Sequence, residues 1–332
     1  MSTETVLAAP PFASRIASQP TMRVGFVVGP TGVGKSAFAL EVAERLEAEI
    51  VNADSRQVYC GMDIGTAKPT PDERRRVPHH LVDIRTPDDP LDVADFLALA
   101  RTAIADVAAR GRRAIVVGGS GLYLRVLRGG IFEGPTASAE IRDELMAVAN
   151  EKGAPHLHEQ LRQVDVAAAE RISPNDLKRI IRALEVYRLT GTPISVHQQR
   201  HRFSAGGFES LIIGLAMPRE QLYDAIDRRF DAMMAAGLVD EVRALMTAGY
   251  RVDAQPLCTI GYRELAAYLG GATNLAEAVE RAKRESRRLA KRQLTWFRSE
   301  PGIEWLDPSA GVAQAIKLFG DFFSSGRAQS DG

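Results

Sequence analysis

Four short apolar runs, residues 23–28, 49–53, 113–117 and 210–216, stand out along the chain and predict buried β-strands. The first is rich in β-branched residues. Between them the apolar positions recur at helical spacing. Residues 37–46 follow this rule, as do residues 93–110, which stop before Gly111 as a helix should. Strands alternating with helices predict a parallel sheet covered on both faces, and ligands in such sheets bind beyond the carboxyl ends of the strands. Gly29, Asp54 and Ser120 each fall just past a predicted strand. Three separate segments should therefore meet in one crevice.

From about Phe132 to Phe203 the strand pattern disappears and helical spacing takes over. One helix is predicted over residues 176–189, with Leu177, Ile180, Ile181, Leu184 and Tyr187 as its apolar stripe and Lys178, Arg179 and Arg182 facing elsewhere. This segment reads as a small all-helical insertion (132–206) in an α/β core made of residues 23–131 and 207–325. Beyond the last strand come helices at 219–236 and 239–248, each stopped by glycine, and then a long basic one. Residues 1–22 and 326–332 lack periodicity and are expected to be unstructured extensions. There is no internal repeat and no coiled-coil heptad.

The run Gly29-Pro30-Thr31-Gly32-Val33-Gly34-Lys35-Ser36 lies between the first strand and the first helix. Its pattern is that of a phosphate-binding loop, in which backbone N–H groups and the positive end of a helix converge on one anion. Lys35 adds a point charge, and the Ser36 hydroxyl suits Mg²⁺. A nucleoside triphosphatase would place an acidic residue at the end of a neighbouring strand. Here residues 113–117 run into Gly118-Gly119-Ser120-Gly121, with a hydroxyl in the acid's place. The loop is thus expected to hold a di- or triphosphate for another purpose.

Composition adds limits rather than chemistry. Of 332 residues, 45% are apolar and 25% charged, ordinary for a soluble globular protein, and no apolar run approaches a membrane span. Cys60 and Cys258 form no metal-ligand spacing, and two thiols expected to be free suit the cytoplasm. Net charge is zero, yet residues 281–298 carry eight Lys or Arg against one acid, Glu285. Arg281, Arg284, Arg288, Lys291 and Arg292 share one helix face, while Ala282, Ser286, Leu289, Gln293 and Trp296 share another. Such a stripe is either a solvated helix face or the footprint of a nucleic-acid-binding surface. Eight cations with one compensating acid weaken the first reading, because their mutual repulsion would be relieved by a polyanion. Trp296, on the small-residue face, is expected in the core.

Taken together, the phosphate loop, Asn52-Ala53-Asp54-Ser55-Arg56-Gln57-Val58-Tyr59, Gly61-Met62-Asp63-Ile64-Gly65-Thr66-Ala67-Lys68-Pro69 and Pro78-His79-His80-Leu81-Val82-Asp83-Ile84 resemble the tRNA dimethylallyltransferase family. The resemblance continues through residues 118–123, 174–185, 261–263 and 291–298, in family order. It implies a phosphate-loop fold and transfer of the dimethylallyl group of dimethylallyl diphosphate to the exocyclic amine of the adenine just 3′ of the anticodon. The acceptors are tRNAs reading codons that begin with U, and the reaction uses Mg²⁺. By the same resemblance the loop holds the diphosphate, Arg229 contacts it, and Asp54 is the general base. Ser36 and Ser120, where the family more often has Thr, would serve the metal or the diphosphate. Ser55, Arg56, Gln57, Arg142, Lys178, Arg179, Arg182, Cys258, Gly261, Tyr262, Arg263, Lys291, Arg292, Gln293, Trp296 and Arg298 would join Asp54 and Ser120 in contacting tRNA. A monomer is expected.

Two other readings use the same loop and sheet. A small-molecule kinase would need a base pocket and an arginine-bearing lid but no basic helix near the C-terminus. An adenylate isopentenyltransferase would run the same chemistry on free AMP, without need of the helical insertion.

Overall fold

The computed structural model describes residues 22–130, 134–135, 137–201 and 208–325. The proposed terminal extensions, and Phe132 and Phe203 at the edges of the insertion, lie outside these residues, apart from Met22. In chain order the first elements are β1 (Met22–Val28), α1 (Lys35–Leu46), β2 (Ala48–Asn52), α2 (Pro71–Arg76), β3 (His79–His80), α3 (Val93–Ala109) and β4 (Arg113–Gly118). Then come α4 (Gly121–Gly129), α5 (Ala139–Lys152), α6 (Ala154–Val164), α7 (Val166–Arg171), α8 (Leu177–Thr190) and α9 (Ile194–His201). The chain continues with β5 (Phe208–Leu215), α10 (Arg219–Ala235), α11 (Leu238–Thr247) and α12 (Tyr262–Leu269). It closes with α13 (Leu275–Arg298), β6 (Ile303–Leu306) and α14 (Val312–Ser324).

All six strands pair in parallel in the order β3-β2-β4-β1-β5-β6. The registers Val28↔Gly118 and Val28↔Gly214 bring the carboxyl ends of β1, β4 and β5 level. Both faces are buried. Val27, Ile115, Val117, Ile213 and Leu215 join a core with α1 and with Phe319 of α14, while Val24, Phe26 and Val116, pointing the other way, are also enclosed. This double burial is why the strands read as continuous apolar runs. Two strands escaped the sequence pattern: β3 has only two residues, and β6 is an edge strand with a single buried residue, Leu306.

The chain forms two compact units. The larger holds residues 22–91, 102–121 and 208–325; the smaller, residues 92–101 and 122–201, so it begins earlier than a 132–206 insertion and takes in the start of α3. Within the smaller unit Leu145, Leu157, Leu161, Ile180 and Leu184 form an apolar centre. Its buried Asp165 caps α7 through Ala168 N–H and accepts from Ser195 N–H at 2.9 Å, tying α7 to α9.

Candidate active site

The phosphate loop leaves β1 and enters α1 through Gly34 (φ 90°), a left-handed N-cap that offers the helix no side-chain acceptor. The first amides of α1 are thus left to an external acceptor. Gly32 (φ 84°) passes so close to α10 that a Cβ there would lie 2.5 Å from Ile226 Cγ1. Two cations are folded onto the loop. Lys35 Nζ donates to the Pro30 carbonyl at 2.8 Å, and Arg229 on α10 donates to the Thr31 hydroxyl at 2.6 Å. Burial pushes Lys35 down to about 8; Asp54 opposes that shift and Arg229 adds to it. Arg229 is likewise lowered by burial, with Asp54 opposing. Two desolvated cations face one carboxylate, so the site lacks negative charge.

Asp54 sits just past β2, where its N–H donates to Asn52 Oδ1 and its own Oδ1 accepts from Arg56 N–H at 2.8 Å. The turn orients the carboxylate by its backbone. Asn52 Nδ2 also donates to the carbonyls of Leu81 and Asp54, which fixes this strand end.

A cavity of about 430 Å³ opens at the carboxyl ends of the strands. Of the residues singled out from sequence, Thr31, Lys35, Ser36, Asp54, Ser55, Arg56, Gln57, Ser120, Arg229, Cys258 and Gln293 line it. Three distant segments do converge there. Sequence reasoning gave no site role to Asn52, His79, Ile226, Phe230, Met233, Ser286 and Leu289, which also line the cavity, as do Thr259 and Ile260 of the 258–263 stretch that the resemblance assigns to tRNA contact. For Ile226, Phe230 and Met233 a signal existed: with Arg229 they recur at three- and four-residue spacing on α10. His79 Nδ1 donates to the Val77 carbonyl, 2.7 Å away, and burial lowers the imidazole pKa.

Helix α13 has two working faces. Arg281, Arg284, Arg288, Lys291 and Arg292 are exposed, whereas Ser286, Leu289 and Gln293 line the cavity. Two further cations are paired from α10: Arg287 with Asp227 at 2.5 Å and Lys283 with Asp231 at 2.6 Å.

Several proposed tRNA contacts have other occupations. Gln293 is a brace: its Oε1 accepts from Thr31 N–H at 2.8 Å and its Nε2 donates to the Gly119 carbonyl at 2.9 Å. Tyr262 is fully buried, with its hydroxyl donated to Glu241, and Gly261 is buried beside it. Burial and the Glu241 carboxylate push the Tyr262 phenol well above its usual range. Arg263 is exposed and pairs with Glu264, and Arg298 is exposed at the end of α13. Trp296 is half-buried and not in the core. Its ring lies over Gly121, where a Cβ would fall 2.3 Å from Trp296 Cδ2, and the core position belongs to its neighbour Phe297. A helix-face assignment one residue out explains the miss.

In the smaller unit Arg142 and Arg182 both bind the buried Glu185 carboxylate, at 2.8 and 2.6 Å, and Ser138 N–H adds a third donor. Burial alone would raise the Glu185 pKa, but these partners together hold it below the usual carboxylate range. Their charge is largely spent on that acid. Lys178 and Arg179 are exposed on α8.

A family model described as IPP transferase matches residues 57–300. The chain belongs to the IPP transferase family. The tRNA dimethylallyltransferase of Syntrophobacter fumaroxidans is 52% identical over 284 residues, 86% of this chain and 83% of that protein. The tRNA dimethylallyltransferase 1 of Pelobacter propionicus is 50% identical over 91% of this chain and 97% of its own length. Among solved structures, a tRNA isopentenylpyrophosphate transferase from Bacillus halodurans superposes with a TM-score of 0.69 at 40% identity, covering 93% of this chain and 99% of that one. A eukaryotic dimethylallyltransferase acting on tRNA gives 0.79 at 27% identity, covering 92% of this chain and 80% of its own. The fold is thus shared with solved structures at both levels of identity. No helix among the described residues is long and apolar enough to cross a membrane.

Proposed function

We propose that this protein transfers the dimethylallyl group from dimethylallyl diphosphate to the exocyclic amine of the adenine just 3′ of the anticodon, in tRNAs reading codons that begin with U. The observation that carries this reading is a single cavity lined by Lys35, Arg229 and Asp54, with one face of α13 on its wall and that helix's other face carrying exposed cations. Two cations suited to an anionic leaving group, a carboxylate suited to accept a proton and a helix face of exposed cations suited to a polyanion thus lie side by side.

In the step, the new C–N bond forms as the allylic C–O bond breaks, and diphosphate departs with the electron pair. An aromatic amine is a weak nucleophile, so the Asp54 carboxylate takes the proton that the nitrogen sheds. The loop amides, Lys35 and the donor fork of Arg229 stabilise the charge growing on the diphosphate. Lys35 and Arg229 would exchange the Pro30 carbonyl and the Thr31 hydroxyl for diphosphate oxygens. The target base must leave its stack to enter the cavity.

No cluster of three or more His, Cys, Asp or Glu suited to a metal occurs among the described residues. The available donors are hard oxygens, the hydroxyls of Ser36 and Ser120 and the carboxylate of Asp54, all on the cavity wall, and this set fits Mg²⁺. Ser36 and Ser120 would hold the ion, which when bound neutralises diphosphate charge. All these groups lie on one chain, which suits a monomer, and cytoplasmic tRNA is the natural acceptor.

The test is transfer of radiolabelled dimethylallyl from its diphosphate with total tRNA and AMP as competing acceptors. Label in tRNA is expected; label in AMP alone would establish the adenylate enzyme, and phosphate transfer from ATP a kinase.

A further inference from the structure

The Glu241 carboxylate on α11 receives four hydrogen bonds from groups distant in sequence. Its Oε2 accepts from the backbone N–H of Asp63 at 3.0 Å and of Ile64 at 2.7 Å. Its Oε1 accepts from Gly65 N–H at 3.1 Å and from the Tyr262 hydroxyl at 2.6 Å. Three successive amides curled round one point form the concave nest that proteins commonly offer to an external anion. Here the anion is built in. The Tyr262 ring makes the floor, so close that a Cβ on Gly65 would lie 2.5 Å from Tyr262 Cε2.

The clamped turn is part of the cavity wall, through Gly65, Thr66 and Ala67. Ala67 is held at φ 50°, a left-handed conformation that a non-glycine residue adopts only when its surroundings fix it. The turn presents the carbonyls of Thr66 and Ala67 to Gln57 Nε2, at 3.2 and 3.1 Å. Two acceptors on one side of an amide decide its orientation: the NH₂ must face them, so the Gln57 carbonyl oxygen is the atom left for the cavity. That oxygen can accept from an amine and would repel an oxo group.

We propose that Glu241, with Tyr262, is a positioning residue for the transfer reaction: it holds the 63–67 turn so that Gln57 offers an acceptor to the exocyclic amine beside Asp54. The inference rests on the proposed function and adds to it a selection for amine-bearing over oxo-bearing bases. Among the described residues the Glu241 carboxylate bonds this turn and Tyr262 and makes no bond to the phosphate loop, so the two can be perturbed separately.

The experiment compares wild type, Glu241→Gln, Tyr262→Phe, Gln57→Ala and the Glu241→Gln/Gln57→Ala double variant in single-turnover transfer to an anticodon stem-loop RNA. Affinity for dimethylallyl diphosphate and amide hydrogen exchange over residues 63–67 are measured beside it. Glu241→Gln should slow transfer roughly 10- to 100-fold, the scale of a misplaced reactant, while diphosphate affinity stays within about twofold. Tyr262→Phe, which removes one of the four donors, should slow it less. Exchange over 63–67 should quicken in Glu241→Gln, and the double variant should be no slower than Gln57→Ala alone. Unchanged exchange, a wild-type rate, additive effects, or an equal loss of diphosphate affinity would each overturn the proposal. A wild-type chain that transfers nothing would refute the function itself, before any variant is compared.

Discussion

Arg229 donates to the Thr31 hydroxyl at 2.6 Å, so a helix nearly two hundred residues downstream closes the phosphate loop. The guanidinium is desolvated there, and its fork can hold two oxygens of one phosphate. Arg229→Lys keeps the charge and loses the fork. Affinity for dimethylallyl diphosphate should fall by about 1.5–3 kcal/mol, the range for a charge-assisted hydrogen bond, as read by calorimetric titration. Thr31→Val, which removes only the resting partner, should leave that affinity nearly intact.

Asp54→Asn preserves the shape of the turn after β2, since an amide oxygen can still accept from Arg56 N–H. It removes the proposed base. Transfer should slow by roughly two to four orders of magnitude with tRNA affinity retained. Near-normal rates in rapid-quench assays would take Asp54 out of the proton transfer.

Lys35 gives the proposed diphosphate site a pH dependence of definite sign. Its pKa in the free protein, about 8, lies below the ordinary lysine value of 10.5 because burial disfavours the charge. A bound diphosphate favours that charge, so binding takes up a proton wherever free Lys35 is neutral. Affinity should be flat below about pH 8 and fall up to tenfold per pH unit above it, a slope that Lys35→Ala abolishes. The same depressed pKa makes Lys35 destabilising to the fold below about pH 8, a burden that fades as pH rises toward 10.5. Denaturation across this range should show Lys35→Met gaining most at neutral pH.

The exposed cations of α13 predict a salt effect. Changing Arg284, Arg288, Lys291 and Arg292 to Gln should weaken tRNA binding and flatten its dependence on log salt, by just under one unit of slope for each phosphate no longer neutralised. Diphosphate affinity should not move. Arg288 is also paired with Glu285, at 2.6 Å, and is expected to contribute least.

Trp296 and Phe297 separate packing from surface. Phe297 is fully buried and Phe297→Ala should cost about 3–5 kcal/mol in denaturant unfolding. Trp296 is half-buried over Gly121, and its replacement by Ala should cost clearly less. Equal losses would place Trp296 in the core after all.

These residues also mark how far the sequence could be read. The four inner strands were legible because burial on both faces leaves mostly apolar side chains, and Gly29, Asp54 and Ser120 followed from strand ends. The two edge strands were not, since His79–His80 is too short for any period and Ile303–Leu306 buries too little. Side-chain partners were harder still. Tyr262 and Gln293 look like recognition groups in the linear chain. Their actual partners, Glu241 for one and Thr31 with Gly119 for the other, are set by tertiary contact that no local spacing encodes. Glu241 itself reads as one more acid on an amphipathic helix.

The double attachment of Gln293 has a geometric consequence for α13. Successive residues on a helix are rotated by about 100°, so Lys291 and Arg292 stand at fixed angles from Gln293. With the amide held by Thr31 N–H on one side and the Gly119 carbonyl on the other, the helix cannot roll about its axis without orphaning both. Glutamate at this position would keep the first bond and turn the second into a repulsion; lysine would do the reverse. One neutral amide therefore sets the rotational phase of the whole helix, keeping Ser286 and Leu289 to the cavity and the exposed cations turned to the water.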